Sequence, residues 1–131
     1  MLIIGHRGAP NLAHENTIDS FEKAFKNNVD GIELDVQLTK DNKLAVFHDF
    51  HTFALNGHNQ LIKDILYKDL QKISKRFTIP TLDEVLKYLP ANKELHIEIK
   101  SNQINNNIIV DKVLKSVSKK NINKNCIISS F

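Results

Sequence analysis

Segments of strand character alternate with segments of helix character along this chain, and the alternation limits the folds it can adopt. The order is strand, helix, two strands, two helices, strand, helix, strand. Such an order is typical of an α/β protein with a largely parallel sheet. The predicted strands are Leu2 to Ile4, Gly31 to Leu38, Leu44 to His48, Glu94 to Lys100 and Ile127 to Phe131, and the predicted helices lie around Ile18 to Phe25, Lys63 to Ile73, Thr81 to Pro90 and Ile108 to Val117.

Local signals mark where several of these segments begin and end. Asn16 or Thr17 is suited to cap the first helix, and Thr81 with Glu84 has the spacing of a capping box. Residues 50–60 are polar and contain the turn signal Asn56-Gly57, which predicts a loop. The Asn-rich stretch from Asn102 to Asn107 also predicts a loop.

Composition disfavours several classes of protein. The 131 residues are 41% hydrophobic and 25% charged, which suffices for the core of one domain over residues 1–131. A net charge of +3 from scattered lysines and two arginines gives no basic stripe for nucleic-acid binding. The single cysteine, Cys126, excludes an intramolecular disulfide and suits a small buried side chain. The apolar run Met1 to Ile4 is too short for a signal peptide or a membrane span, and we expect a cytoplasmic protein.

Ionisable side chains occupy the face of the predicted strands opposite their apolar residues. Glu33 and Asp35 point the same way from one strand, about 6.6–7 Å apart along it. All the groups of this kind lie at or near the C-terminal end of a strand, where ligand sites of parallel α/β sheets are built. The set consists of His6 and Arg7 after the first strand, Glu33 and Asp35, His48 at the end of the next strand, and His96, Glu98 and Lys100.

These residue types together indicate phosphoryl-transfer chemistry. Three carboxylates without a sulfur ligand suit a hard divalent cation such as Mg²⁺ or Ca²⁺. Histidines such as His6 and His48 can accept and donate protons near neutral pH. Arg7 and Lys100 supply the fixed positive charge that a phosphate oxyanion needs.

Each motif taken alone also has a simpler interpretation. Alternating Glu33 and Asp35 are typical of the solvated face of an antiparallel strand. His6-Arg7-Gly8 is compatible with a polar turn, and His48-Asp49 with a pair that closes a hairpin. The functional interpretation is favoured because all of them fall at the same edge of the same sheet. The histidines expected on the surface or behind the site are His14, His51, His58 and His96.

Further motifs follow one another in a fixed order along the chain. They are His6-Arg7-Gly8, Glu15-Asn16-Thr17, Gly31 to Gln37, Thr39-Lys40-Asp41, His48-Asp49, Ile79 to Glu84, Ile97 to Lys100 and Ser129-Ser130-Phe131. In this order they resemble the glycerophosphodiester phosphodiesterase family over essentially the whole chain. Three positions depart from the family's usual pattern: His14 replaces a proline, Asn42 a glycine, and Ala54 stands where arginine is frequent.

The resemblance implies a (β/α)₈ barrel that hydrolyses glycerophosphodiesters to glycerol 3-phosphate and an alcohol, in lipid and glycerol metabolism. It implies that Glu33, Asp35 and Glu98 bind the divalent cation, Mg²⁺ or Ca²⁺. It also implies that His6 and His48 form the acid/base pair and that Arg7 and Lys100 contact the phosphate. The order in which the histidines act, and whether water or a substrate hydroxyl attacks, stay open.

The length of the chain conflicts with a complete barrel. A (β/α)₈ barrel typically takes about 250 residues. We therefore expect a partial TIM barrel, about the first four to five strands with their helices, with two open edges and an exposed apolar inner face. A fragment of a longer protein is favoured over a half-barrel completed by a partner chain or by self-association, and over a rearranged domain. The alternative functions are an inactive remnant that acts as an interaction module and a related barrel phospholipase.

Overall fold

The computed structural model describes residues 1–101 and 107–130. The elements follow the predicted order with one short helix added. Asn107 begins the last helix, whereas the rest of the predicted Asn-rich loop, and Phe131 of the last predicted strand, lie outside the described residues. The strands are β1 (Ile4–His6), β2 (Gly31–Leu38), β3 (Leu44–Val46), β4 (Glu94–Ile99) and β5 (Cys126–Ser130). The helices are α1 (Ile18–Lys26), α2 (Phe53–Asn56), α3 (Tyr67–Ile73), α4 (Leu82–Tyr88) and α5 (Asn107–Lys120). Two 3-10 turns lie at Ile62–Asp64 and Asn123–Asn125.

Strands β1, β2, β4 and β5 form a parallel sheet in that spatial order. β4 pairs with β2 along Gly31–Val36, and β1 pairs with the first three residues of β2 on its other side. β3 is antiparallel to the C-terminal end of β2, through the pairs Val36–Val46 and Leu38–Leu44. The predicted α/β class with a parallel sheet is confirmed. Within the described residues β1 and β5 form the edges, so the partial barrel is not closed.

The two faces of the sheet differ sharply in polarity. Ile32, Leu34 and Ile97 are fully buried and pack with apolar side chains of α1, α4 and α5 in one core. The opposite face carries the polar members of the alternation, including Glu33 and Glu98, which are half-buried. The expectation of an exposed apolar inner face is therefore wrong: the helices cover the apolar residues, and strict alternation places the polar ones on the open face.

Helix starts are set by the side chains that the sequence singles out. Thr17 caps α1, and its Oγ1 accepts a hydrogen bond from Ser20 N at 3.2 Å. Thr81 and Glu84 form the predicted capping box at α4, in which each side chain bonds the backbone of the other residue. These caps satisfy amide groups that a helix start leaves without partners.

Most predicted elements shift by a few residues at their ends, and three of the differences have a clear local cause. β1 begins at Ile4 because Ile3 N bonds the side chain of Asp30 rather than a neighbouring strand. β3 ends at Val46: Phe47 N still bonds Asp35 O, but the return bond is lost because Asp35 N bonds Asn16 Oδ1 and Phe47 O accepts from the Gln37 side chain. The helix predicted from Lys63 splits into a 3-10 turn and α3, because Ile65 and Leu66 are extended and the carbonyl of Ile65 accepts from Lys40 N.

Asp41 joins the turn between β2 and β3 to the start of α3. Its Oδ1 accepts hydrogen bonds from Tyr67 N at 2.9 Å and from Thr39 Oγ1 at 2.7 Å. Desolvation raises the pKa of this carboxyl, but these bonds outweigh it and the pKa lies below its ordinary value of 3.8. The ionised form of Asp41 is therefore the one that stabilises the fold.

Replacing Asp41→Ala is expected to lower the free energy of unfolding by about 1 kcal/mol at neutral pH, as for the loss of a helix cap. Because the folded pKa is depressed, this contribution is present above the unfolded pKa and is lost as pH falls through the folded value. Urea unfolding at pH 7 and near pH 3 measures both effects. The control is Asp64→Ala, an exposed carboxylate on the adjacent 3-10 turn. Equal losses for the two variants at pH 7 would contradict the capping role.

The structure also bears on two expectations from composition. Cys126 is half-buried beside the core, and burial raises the pKa of its thiol to about 11, so the thiol is protonated at neutral pH. Among residues 1–101 and 107–130, every helix is too short or too polar to cross a membrane. The cytoplasmic location stays a prediction.

Candidate active site

Three carboxylates converge on the open face of the sheet. Glu33 and Asp35 of β2 lie beside β4, where Asp35 is the register partner of Glu98. One oxygen from each of Glu33, Asp35 and Glu98 lies within 4.8 Å of the other two. Burial, and next the charge of Asp35, raise the pKa of Glu33. The site thus holds three anionic groups close together at some electrostatic cost.

Asp35 is the most deeply buried member of this set, with 1% of its side chain exposed. Its Oδ2 accepts a hydrogen bond from Asn16 Nδ2 at 2.8 Å and lies 3.2 Å from Arg7 Nε. Its Oδ1 lies 3.3 Å from Lys100 Nζ, but no described residue makes a hydrogen bond of good geometry to it. One oxygen of Asp35 is therefore engaged, and the other is buried with capacity to spare.

A tight turn after β1 presents Arg7 to the carboxylates. Arg7 has a φ of 54°, and its amide donates to Glu33 Oε2 at 3.1 Å. Its Nη1 donates to Glu15 Oε1 at 3.0 Å, so the guanidinium contacts two carboxylates. Gly8 follows with a φ of +90° and lies against Ser20 of α1. The turn is thus held by α1 on one side and by site carboxylates on the other.

The predicted acid/base residues His6 and His48 both lie at this end of the sheet. His6 ends β1, its Nε2 lies 3.9 Å from Glu33 Oε2, and its side chain is 71% exposed. His48 follows β3, and its Nδ1 lies 2.8 Å from Asp49 Oδ1. His48 also lines a cleft with Asp49, Phe50, His51, Phe53, Ala54, Asn59 and Lys100.

Gln37 fixes the backbone on both sides of His48. Its Nε2 donates to Phe47 O at 2.7 Å and to Asp49 O at 2.8 Å, and the residue is buried. The segment that carries the histidine is therefore held by a side chain from the end of β2.

Lys100 lies directly after β4 and ties together two of the three carboxylates. Its Nζ is 2.5 Å from Glu98 Oε1 and 3.3 Å from Asp35 Oδ1. Burial alone would lower the pKa of Lys100, but the bond to Glu98 and the charge of Asp35 raise it. Lys100 is therefore a fixed positive charge at neutral pH.

The structure places in the site several residues that the sequence did not assign to it. Glu15 and Asn16, part of a motif noted in the sequence, reach Arg7 and Asp35 from the loop before α1. Gln37 ends the motif Gly31 to Gln37, but the sequence assigned it no role of its own. Of the remaining histidines, His14 stacks on Phe77 with ring centroids 3.5 Å apart, His96 bonds Glu94 on the site face, and His51 and His58 are exposed.

The charge balance of the site fits a divalent cation. The three carboxylates and Glu15 outnumber the two fixed cations, Arg7 and Lys100, by two negative charges. All the candidate metal-ligand atoms are carboxylate oxygens, which Mg²⁺ and Ca²⁺ prefer. Asp35 Oδ1 agrees with this, because it is buried and has no well-formed hydrogen bond, and the Lys100 ammonium at 3.3 Å leaves it able to accept a further partner. The arrangement is chemically suited to a divalent cation beside two fixed positive charges.

Comparison with known proteins places the chain in a family. The profile of the Glycerophosphoryl diester phosphodiesterase family matches residues 6–131, and the chain belongs to this family. It is 37% identical over 140 residues to a glycerophosphodiester phosphodiesterase of Caldanaerobacter subterraneus subsp. tengcongensis, which covers 99% of this chain and 58% of the relative. It is 34% identical to a human lysophospholipase D over 90% of this chain and 41% of that protein.

A solved structure shows the same fold. The glycerophosphodiester phosphodiesterase of Thermotoga maritima superimposes with a TM-score of 0.85 at 36% identity, over 100% of this chain and 54% of that one. The chain therefore spans about half the length of the relatives that it matches.

Proposed function

We propose that this chain supplies the catalytic half of a divalent-cation-dependent phosphodiesterase. Its reaction is the hydrolysis of glycerophosphodiesters to glycerol 3-phosphate and an alcohol. The observation that carries the proposal is the convergence of three carboxylates with Arg7 and Lys100 beside two histidines. The reaction is the one that the Caldanaerobacter relative is named for.

Glu33, Asp35 and Glu98 are the residues that would hold the cation, Mg²⁺ or Ca²⁺. When bound, such an ion polarises a phosphoryl oxygen and neutralises part of its charge. Arg7 and Lys100 contact different oxygens of Asp35 and so lie on two sides of it. They orient the phosphate and offset the negative charge that develops during the reaction.

His6 and His48 move the protons of the reaction. One takes the proton of the attacking water or substrate hydroxyl as a new P–O bond forms. The other gives a proton to the alcohol oxygen as the old P–O bond breaks. For His48, Asp49 holds Nδ1 and Gln37 holds the adjoining backbone, so its Nε2 is the atom left to exchange a proton.

Turnover requires the second half of the barrel, because the described sheet provides only one wall of the site. That half comes from a continuation of this chain or from a partner. The similarity to a lysophospholipase D favours lysolipids as a second substrate class to be tested beside glycerophosphodiesters.

The test measures release of glycerol 3-phosphate from glycerophosphocholine in Mg²⁺ or Ca²⁺. It uses the 131-residue chain alone and the same chain fused to the part of the Thermotoga maritima enzyme that it does not cover. We expect turnover by the fusion, its loss in EDTA, and a decrease of at least about 100-fold in His48→Ala. Release from lysophosphatidylcholine, measured in parallel, distinguishes the two substrate classes.

His58→Ala is the matched control, because His58 is exposed and lies outside the cleft that His48 lines. It should retain the activity of its parent. A fusion that unfolds cooperatively yet releases no product with either cation would overturn the proposed reaction.

A further inference from the structure

We propose that Asn16 is a positioning residue that reserves one oxygen of Asp35 for the cation. The inference rests on the proposed cation site but not on turnover. Asn16 is 3% exposed and lies in the loop before α1, 19 positions before Asp35 in the chain.

Asn16 makes two hydrogen bonds to Asp35. Its Nδ2 donates to Asp35 Oδ2 at 2.8 Å, and its Oδ1 accepts from Asp35 N at 3.3 Å. A side chain that bonds both the carboxylate and the amide of one residue restricts the rotation of that carboxylate. The bond to the amide of Asp35 therefore orients the Asn16 side chain so that its Nδ2 points at Asp35 Oδ2.

The two carboxylate oxygens of Asp35 therefore differ in their hydrogen bonding. Oδ2 receives Asn16 Nδ2 and lies 3.2 Å from Arg7 Nε. Oδ1 is buried, and within the described part of the chain it has only the ammonium of Lys100 at 3.3 Å, without a well-formed hydrogen bond. Asp35 would thus offer Oδ1 to a cation, beside Glu33 and Glu98.

The position of Asn16 is fixed by its backbone conformation and by a backbone hydrogen bond. Its φ is 57°, in the left-handed region that asparagine tolerates better than most residues. Its amide donates to Arg7 O at 3.0 Å, and the same carbonyl accepts from Ser20 Oγ at 3.0 Å. The loop that carries Asn16 and the turn that carries Arg7 are consequently fixed to each other, which places the hydrogen bond from Asn16 and the charge of Arg7 beside the same oxygen, Oδ2.

The experiment compares Asn16→Gly with Asn28→Gly by calorimetric titration of the full chain with Mg²⁺ and with Ca²⁺. Asn28 has a φ of 61° and is exposed at the end of α1, so both variants make the same backbone change. Outer partners of metal ligands typically change affinity by about 10–100-fold. We expect Asn16→Gly to weaken cation binding at least about 10-fold and Asn28→Gly to leave it within about twofold of the parent.

Asn16→Ala and Asn28→Ala repeat the comparison without the backbone freedom that glycine adds. Urea unfolding of all four variants separates lost stability from lost affinity. Equal cation affinity in the parent and in folded Asn16 variants would overturn the positioning role while leaving the cation site intact. A parent chain that binds neither cation would overturn both.

Discussion

Asp35→Ala is expected to lower the free energy of unfolding by about 3–5 kcal/mol, the usual cost of removing one partner of a buried ion pair. Asp35 has 1% of its side chain exposed and faces Arg7 and Lys100, whose side chains are 19% and 15% exposed. Its loss relieves repulsion with Glu33, but it leaves the amide of Asn16 without its acceptor and the largely buried guanidinium of Arg7 without one of its two neighbouring carboxylates. The unpaired buried groups should outweigh the relief.

Urea unfolding followed by circular dichroism measures this loss, and calorimetric titration with Ca²⁺ should show that the variant no longer binds. Asp19→Ala serves as the control, because Asp19 is 64% exposed and pairs with Lys23 at 2.9 Å on the surface of α1. Such exposed pairs contribute at most about 0.5 kcal/mol. A loss in Asp35→Ala no larger than in Asp19→Ala would show that the buried network does not stabilise the fold.

Gly8→Ala should be nearly as damaging. Gly8 has a φ of +90°, and an added Cβ would lie 2.4 Å from Ser20 Oγ and 2.8 Å from the backbone carbon of Ser20. Left-handed strain and overpacking together cost about 2–5 kcal/mol. The turn would have to move away from α1, and it would take Arg7 with it.

Gly57→Ala isolates the strain from the collision. Gly57 has a φ of +74°, but an added Cβ would meet no atom within 4 Å. This variant is expected to cost about 1 kcal/mol. Denaturant midpoints of the two variants, measured under one condition, give the comparison. Similar midpoints would mean that contact with Ser20 does not determine the requirement for glycine at position 8.

Much of the fold follows from periodicity, and the deviations have local causes. The predicted bounds of Gly31 to Leu38 agree with β2, since strict alternation there matches a strand with one apolar face. The helix predicted from Lys63 fails because the carbonyl of Ile65 bonds Lys40, a residue more than twenty positions away. Periodicity reports which face is buried, but it does not report a distant backbone donor.

In the candidate site too, periodicity predicts some residues, whereas others depend on contacts that the sequence does not show. Glu33, Asp35 and Glu98 could be foreseen because alternation and the parallel register place them on one face. Asn16 and Gln37 could not, since each acts through a contact set by loop geometry. An uncharged amide side chain in a loop or at a strand end carries no signal that separates a structural hydrogen bond from a solvated side chain.

The polar open face of the sheet has a consequence for how any further strands could join it. The core of the described half is already enclosed between the sheet and its helices, so adding strands would not complete a shared apolar interior. Association would depend on backbone pairing along the free edges of β1 and β5, aided by exposed apolar side chains such as Leu114 and Ile127. Pairing at the edges would leave the core of the described half unchanged, because that core lies between the sheet and its own helices.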